Sequence, residues 1–139
     1  MMANAVYPLY KQSLLDADAN VSLNENTADD GPYAALVDTG TYTYSAAHQY
    51  YSDLSGIVGT PVRIENPTIA AGLFDGDNVT FSAVTGNTAE AIVIYRKNSG
   101  ANTTWRLVAY VDTGVTGLPV TPNGGDITAS WNASGIVQL

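Results

Sequence analysis

The 139-residue chain has no cysteine, one histidine and few basic residues. Without cysteine it has no disulfide and no thiolate for catalysis or metal binding, and the single His48 excludes a cluster of histidine ligands. Five Lys and Arg against thirteen Asp and Glu give a net charge of −8. This balance excludes the basic surface that nucleic-acid binding requires and the polybasic attachment to a membrane surface. We therefore expect neither nucleic acid nor membrane as a partner.

Long apolar runs are also missing. No stretch approaches the roughly 20 apolar residues of a transmembrane helix, and the N-terminal residues lack the basic start and apolar stretch of a signal peptide. A protein made in the cytoplasm, which stays in the cell or leaves it by lysis, is therefore expected. Hydrophobic residues nevertheless make up 45% of the chain, which is enough for a packed core, and the length predicts a single β-rich domain over 1–139.

Helical patterns occur only in the N-terminal half. Pro8 suits the first turn of a helix, so a helix and arm are predicted over 1–18. The polar, acidic residues 16–31 predict a loop. A second short helix is predicted over 45–54, because Ser45 is a favourable N-cap and a glycine follows the segment.

The pattern elsewhere is that of short β-strands. Strands are predicted at 33–37, 62–65, 79–83, 91–95, 105–111, 127–131 and 136–139. The run 91–95 is apolar without alternation, as in a central strand, and forms a hairpin with 105–111. The last segment is expected to return beside 127–131. Short strands separated by Gly and Pro predict a mainly β fold, an antiparallel β-sandwich or jelly-roll-like barrel with one or two short helices in the N-terminal half.

The tripeptide Asp-Thr-Gly occurs twice, at Asp38 and at Asp112, each time after two apolar residues. Aspartic proteases present their paired catalytic aspartates in this way. Only 74 positions separate the two aspartates, too few for two lobes of about 150 residues each. The other interpretation is a strand that ends in a turn, with Asp accepting backbone N–H bonds and Gly adopting positive φ. An aspartic protease is thus a remote alternative.

Other chemical motifs are incomplete. Residues 16–20 alternate oxygen-bearing side chains like a calcium loop, but Val21 and Thr27 stand where Gly and a bidentate Glu are required. No Gly-x-Ser-x-Gly motif or phosphate-binding loop accompanies His48. We therefore predict a protein that is not an enzyme and has no cofactor, metal or catalytic residues.

Four tyrosines lie within ten residues: Tyr42, Tyr44, Tyr50 and Tyr51. Tyrosine combines a large apolar ring with a hydroxyl that stays hydrated, which favours interfaces. Three interpretations stay open, because the rings can cover the end of the core, contact a partner protein or stack on a sugar. These four residues are the predicted interface.

Seven phrases are spread along nearly the whole chain, from residue 3 to residue 136. They are ANAVYPxYK at 3–11, ALVDTGTYTYSAAH at 35–48, DLSGIVGTP at 53–61, FDGxxVTF at 74–81, EAIVIY at 90–95, GLPVTPNGGDI at 117–127 and WNASGI at 131–136. Together these phrases resemble a family of small virion-associated proteins of tailed bacteriophages.

The resemblance implies a capsid cement or decoration protein with a jelly-roll-like β fold and no catalytic residues. It implies that the protein is made in the bacterial host cytoplasm and then binds and stabilises the major capsid protein shell, on the capsid surface of the virion. A homo-oligomer, a dimer or trimer, is expected because capsid lattices offer twofold and threefold sites. The alternative is a tail or receptor-binding component that binds glycans through the tyrosine cluster.

Overall fold

The computed structural model describes residues 4–25, 27 and 29–139. Positions 1–3 of the predicted arm and positions 26 and 28 of the predicted loop lie outside the described residues. The described residues form ten strands in antiparallel sheets and one short α-helix, and the sheets do not close into a barrel. The mainly β, sandwich-type fold predicted from the sequence is confirmed.

The strands are β1 (Ala5–Val6), β2 (Gly31–Val37), β3 (Ile57–Arg63), β4 (Thr68–Ala70), β5 (Leu73–Asp75), β6 (Val79–Phe81), β7 (Ala91–Lys97), β8 (Arg106–Val111), β9 (Ile127–Ala129) and β10 (Val137–Gln138). The helix α1 is Pro8–Leu15 and has Pro8 in its first turn, as predicted. Two 3-10 turns lie at Tyr51–Asp53 and Asn102–Thr104.

The largest sheet has five antiparallel strands in the order β1-β8-β7-β2-β3. Strand β7 is central, and all its residues except Lys97 are buried. This agrees with its apolar run, which has no polar side chains to place on a solvated face. The predicted hairpin is confirmed as β7–β8. Strand β3 lies at an edge and ends at Arg63, before Pro67, which has no N–H to donate to a neighbouring strand.

The remaining strands form a three-stranded sheet, β10-β5-β4, and a β6–β9 pair. The predicted return of residues 136–139 beside 127–131 is wrong, because β10 pairs with β5 through Val137 and Phe74. One side of β9 pairs with β6. Its other side is taken by Thr116, which exchanges two backbone hydrogen bonds with Ser130 at the end of β9. No edge of β9 is left for the last segment.

The predicted second helix over 45–54 is also wrong, since only the 3-10 turn at Tyr51–Asp53 forms there. The backbone of this segment is bonded to β8 instead. Leu107 donates its N–H to the carbonyl of Gln49, and Tyr51 donates to the carbonyl of Trp105. Because these groups are occupied by a neighbouring strand, they cannot form helical i→i−4 bonds.

Both faces of the five-stranded sheet are covered by other parts of the chain. On one face the ring of Tyr95 packs against Tyr51, which comes from the segment 41–54. On the other face Val108 of β8 lies beside Phe74 and Val137 of the three-stranded sheet. The core therefore consists of the central sheet and these two covering layers, as expected for a layered β domain.

The two burial environments predict different costs for the same substitution. Ile94 of β7 is fully buried, whereas Ile69 of β4 is 50% exposed. Ile94→Ala is expected to lower the free energy of unfolding by about 2–5 kcal/mol, because it leaves a cavity in the core. Ile69→Ala is the matched control and should cost about 1 kcal/mol or less. Urea unfolding measures both, and equal losses would contradict the described burial.

Candidate functional site

Tyr42, one of the four predicted interface tyrosines, is buried and belongs to a chain of hydrogen bonds. Its hydroxyl lies 2.7 Å from the hydroxyl of Tyr7 and 2.8 Å from Nδ1 of His48. Burial and then the bond to Tyr42 raise the pKa of the Tyr7 hydroxyl well above its ordinary value. The lone histidine is therefore a hydrogen-bond partner of a core tyrosine, and this network ties the segment 41–48 to the residue that joins β1 and α1.

Tyr44 and Tyr50 are partly exposed, and each contacts a side chain of the five-stranded sheet. The ring centroid of Tyr44 lies 5.0 Å from that of Tyr7 and 5.7 Å from that of Tyr110 on β8. The guanidinium of Arg106 lies over the Tyr50 ring at 5.8 Å, which is cation–π distance. Both rings help to hold the segment 41–54 on the sheet.

Tyr51 completes this covering layer. Its centroid lies 4.7 Å from that of Tyr95 and 5.2 Å from that of Trp105, in tilted and edge-on contacts. Such aromatic pairs stabilise beyond the area they bury. The interpretation that the tyrosines cover the core thus accounts for these contacts, and a partner contact through the exposed parts of Tyr44, Tyr50 and Tyr51 stays a prediction.

The first Asp-Thr-Gly phrase forms a turn after β2. The carboxylate of Asp38 accepts hydrogen bonds from the Gly40 N–H at 2.8 Å, from Asn87 Nδ2 at 3.0 Å and from the Thr41 hydroxyl at 3.2 Å. These bonds lower the pKa of Asp38, the Gly40 N–H most strongly. The turn and the role of Asp38 as its acceptor are therefore confirmed at this phrase, but the expected positive φ of the glycine is wrong here, because Gly40 is not among the glycines with positive φ.

The second phrase forms a turn after β8 with a different capping residue. Oδ1 of Asn4 accepts hydrogen bonds from the N–H groups of Asp112 and Thr113 at 2.8 and 3.0 Å. Gly114 has the positive φ expected from the sequence, +75°. Oδ1 of Asp112 is buried and has no hydrogen-bond partner among the described residues, and desolvation raises the pKa of this carboxyl. The expectation that Asp caps its own turn is wrong here, because Asn4 takes that role.

The two aspartates lie at the same end of the five-stranded sheet with β7 between them. Val37, which precedes Asp38, pairs with Ala91, and Val111, which precedes Asp112, pairs with Ile92. Two strand spacings of about 4.8 Å separate their backbones by about 10 Å. A catalytic pair shares one proton between carboxylates about 3 Å apart. The described geometry therefore holds the two phrases as separate turns.

The opposite end of the same sheet is basic. Four of the five basic residues lie there on neighbouring strands, and each is within 4 Å of a carboxylate. These residues are Arg63, Arg96, Lys97 and Arg106. Lys97 also lies 5.1 Å from the Tyr33 ring and 5.3 Å from the Trp105 ring. The positive charge of the chain is thus concentrated at one end and neutralised within the molecule.

An acidic segment, the described residues of 16–30, crosses this basic end, and we call it the strap. Arg96 donates from Nε to the Ser22 carbonyl at 2.7 Å, and its Nη1 donates to the carboxylate of Asp30 and to the Lys97 carbonyl. Asp18, which belongs to the calcium-like phrase, pairs with Arg106 at 3.4 Å. The strap contains an isolated bridge between Thr27 and Asp30 but no strand among its described residues. Three of its carboxylates, those of Asp18, Asp29 and Asp30, pair with arginine or lysine.

The strap also forms one wall of an apolar groove of about 340 Å³. The groove lies between α1 and the strap on one side and the three-stranded sheet on the other. It is lined mainly by apolar side chains, which include Tyr10, Leu14, Leu23, Ile69, Phe74 and Val137. This size and lining are typical of a site that accepts an apolar group.

Three large hydrophobic side chains among the described residues are exposed: Leu15, 89% exposed, Leu139, 54% exposed, and Ile69, 50% exposed. Ile69 and Leu139 line the groove, and Leu15 follows Leu14, which also lines it. Nothing in the sequence marks the groove as one site, because its lining comes from five separate segments. The geometry makes it the best candidate for a binding surface.

Comparisons with known proteins and surveys of the described residues assign no other site. No protein-family model matches the chain, and no curated protein matches it significantly. Within the described residues, no group of three or more His, Asp and Glu side chains is placed to hold a metal ion. No described helix has the length and apolar character needed to cross a membrane.

The opposite pKa shifts of the two aspartates predict opposite pH effects. The pKa of Asp38 lies below its ordinary value of 3.8, so its ionised form stabilises the folded protein above that pH, and the contribution is lost as the pH falls through the folded-state pKa. The pKa of Asp112 is raised, so its ionised form destabilises the folded protein at neutral pH. Asp38→Asn should therefore lower the Tm at pH 7 and Asp112→Asn should raise it.

Thermal unfolding followed by circular dichroism measures both variants. Each difference from the wild type should shrink as the pH falls through the pKa values of the folded and unfolded states, which for Asp38 extends below its ordinary value of 3.8. Changes of the same sign at pH 7 would contradict the environments described for the two turns.

The contacts of Arg96 predict that this residue holds the strap. Arg96→Met removes the bonds to Ser22 and Asp30, and amide hydrogen exchange in the strap is expected to become about tenfold faster. Lys97→Met is the matched control, because the Lys97–Asp29 pair is 3.9 Å long and Asp29 is exposed. It should change exchange less than about twofold. Equal effects of both variants would show that Arg96 has no special role.

Proposed function

We propose that this protein is a non-enzymatic structural protein of a tailed-bacteriophage virion, a capsid cement or decoration protein. In this role it binds the major capsid protein at the capsid surface, as a dimer or trimer, and stabilises the shell. The observation that carries the proposal is the apolar groove, in whose lining Ile69 and Leu139 are half-exposed. Gathered apolar side chains of this size are typical of a protein-binding surface. The sequence resemblance supplies the class of partner.

The proposed role needs a rigid fold and a binding surface but no chemistry. The carboxylates of the two Asp-Thr-Gly phrases lie in separate turns, and the histidine ring is bonded to Tyr42. These features favour a structural protein over an aspartic protease. The protease alternative requires a carboxylate pair that the described geometry does not provide.

Stabilisation of the shell follows from mass action. A protein that binds the assembled shell but not its separated subunits stabilises the shell by RT ln(1 + [L]/Kd) at each site, about 2.7 kcal/mol at 100 times Kd. Because every site contributes, a modest affinity repeated over a lattice has a large total effect. The acidity of the chain, −8, keeps the free protein soluble and favours basic patches on the shell.

A glycan-binding tail component is the second candidate from the sequence, through the tyrosine cluster. A sugar stacks on the solvent-exposed face of an aromatic ring. In three of the four predicted interface tyrosines, part or all of this face is covered by other side chains. Tyr42 is 2% exposed, and the rings of Tyr44 and Tyr51 each contact two other aromatic rings. These contacts favour the cement role over sugar binding.

The proposal predicts that virions assembled without this protein are less stable to heat. Particles from a deletion strain should release their DNA at a lower temperature than wild-type particles. Purified protein added at saturation should raise this temperature to the wild-type value. An unrelated acidic protein of similar size and charge is the control for nonspecific effects. Deletion particles as stable as the wild type, together with no binding of the added protein, would contradict the proposed function.

A further inference from the structure

We propose that the apolar groove binds an extended segment of the partner protein that carries Lys or Arg next to its apolar side chains. This inference rests on the proposed function and specifies the partner's contribution to that contact. Three observations support it: the apolar row on the three-stranded sheet, the free edge of β4, and the distribution of charge.

The floor of the groove is a row of apolar side chains that crosses the three-stranded sheet. Ile69 pairs with Phe74, and Phe74 pairs with Val137. Residues that are directly opposite on neighbouring strands place their side chains on the same face. The row ends at Ile69, which is half-exposed, while Phe74 and Val137 are buried. An apolar side chain placed beyond Ile69 would therefore extend the row.

Strand β4 is the edge of this sheet, and all three of its residues are exposed. The turn between β4 and β5 has two residues, Ala71 and Gly72, both with positive φ, as in a type I′ hairpin. In such a hairpin the flanking residues Ala70 and Leu73 exchange backbone hydrogen bonds, so the N–H and C=O of Ile69 point away from β5. They are placed to bond a strand added beside β4, a common way of binding an extended segment.

The charge distribution determines which segment fits. Four basic residues are paired with four acids at the far end of the five-stranded sheet. Among residues 4–25, 27 and 29–139, nine acidic residues and one basic residue, Lys11, remain without an ion pair. Two of these acids are close in sequence to lining residues of the groove, since Asp16 is two positions after Leu14 and Glu25 follows Asn24.

This distribution favours a basic occupant over a second copy of the chain. Two copies that met at this face would bring the same unpaired acids together, and like charges at a contact are unfavourable. An apolar segment with Lys or Arg beside it fills the groove and pairs with Asp16 and Glu25. The apolar contact supplies most of the affinity, and the charge pairs add orientation and salt dependence.

The test uses the full-length protein and virions purified from the deletion strain, with binding measured by co-sedimentation. Ile69→Asp places a charge at the open end of the apolar row and should weaken binding by about tenfold or more. Ile69→Ala, a milder change at an exposed site, should weaken it by roughly threefold. Thr60→Asp is the matched control, because Thr60 is exposed on β3, an edge strand of the five-stranded sheet. It should bind like the wild type. Circular dichroism confirms that each variant is folded.

A second arm tests the chemistry of the segment. The double variant Asp16→Asn, Glu25→Gln should bind roughly threefold more weakly than the wild type at low salt. Its affinity should also fall less than that of the wild type between about 50 and 300 mM NaCl, because it lacks charge pairs that salt screens. Unchanged affinity and salt dependence would overturn the basic character of the occupant.

The outcomes separate the two proposals. If the wild-type protein does not bind the virions, the proposed function fails and this inference fails with it. If the wild type binds the virions and both Ile69 variants bind with the affinity of the wild type, only the assignment of the groove as the binding site is overturned. If sedimentation shows that the free wild type is a dimer and that Ile69→Asp is a monomer, the occupant is a second copy and the partner-segment inference is overturned.

Discussion

Strand β7 is buried on both of its faces, so the chain must supply a covering layer for each side of the five-stranded sheet. One layer is the tyrosine-bearing segment 41–54, which packs on Tyr95 and Tyr110. The other is formed by the three-stranded sheet and α1, whose apolar side chains line the same groove as Val108. The groove exists because α1 and the three-stranded sheet cover this second face without closing against each other. Its position is thus a consequence of how the sheet is covered.

Charge is organised along the same sheet. At one end the strap brings acidic side chains onto arginines and a lysine of β7 and β8, with Arg96 as the most buried of these cations. At the other end the turn carboxylates of Asp38 and Asp112 have different environments, one hydrogen-bonded and one desolvated. Because the basic side chains are neutralised inside the molecule, the remaining surface is acidic. A partner is therefore expected to be basic where it touches this protein.

The sequence predicted the features that depend on local patterns. The β7–β8 hairpin follows from two apolar runs joined by a polar loop, and Pro8 marks the start of α1. The 45–54 segment has helix signals, but the bridge from Tyr50 to Arg106 takes its backbone groups into contact with β8. The partner of β10 was missed for a similar reason, since Thr116 occupies the edge of β9. Both errors come from contacts between segments far apart in the chain, which no local pattern records.

The candidate site was less predictable than the fold. The four tyrosines were recognised as a cluster from their spacing, but which rings are buried depends on Tyr7, Tyr95, Trp105 and Tyr110 in distant segments. The groove gives no sequence signal, because Tyr10, Leu23, Ile69 and Val137 are separated by long stretches of chain. Leu15 and Ile69 look like ordinary apolar residues in the sequence. Only their exposure in the folded protein distinguishes them.

The central claim is that this protein is a component of the capsid lattice. Quantitative mass spectrometry of purified virions, which counts copies of this chain for each copy of the major capsid protein, tests it most directly. The account predicts a ratio of one or a simple fraction such as one-half or one-third, set by lattice symmetry. A few to tens of copies per particle would place the protein in the tail or neck, and its absence from the virion would contradict the account altogether.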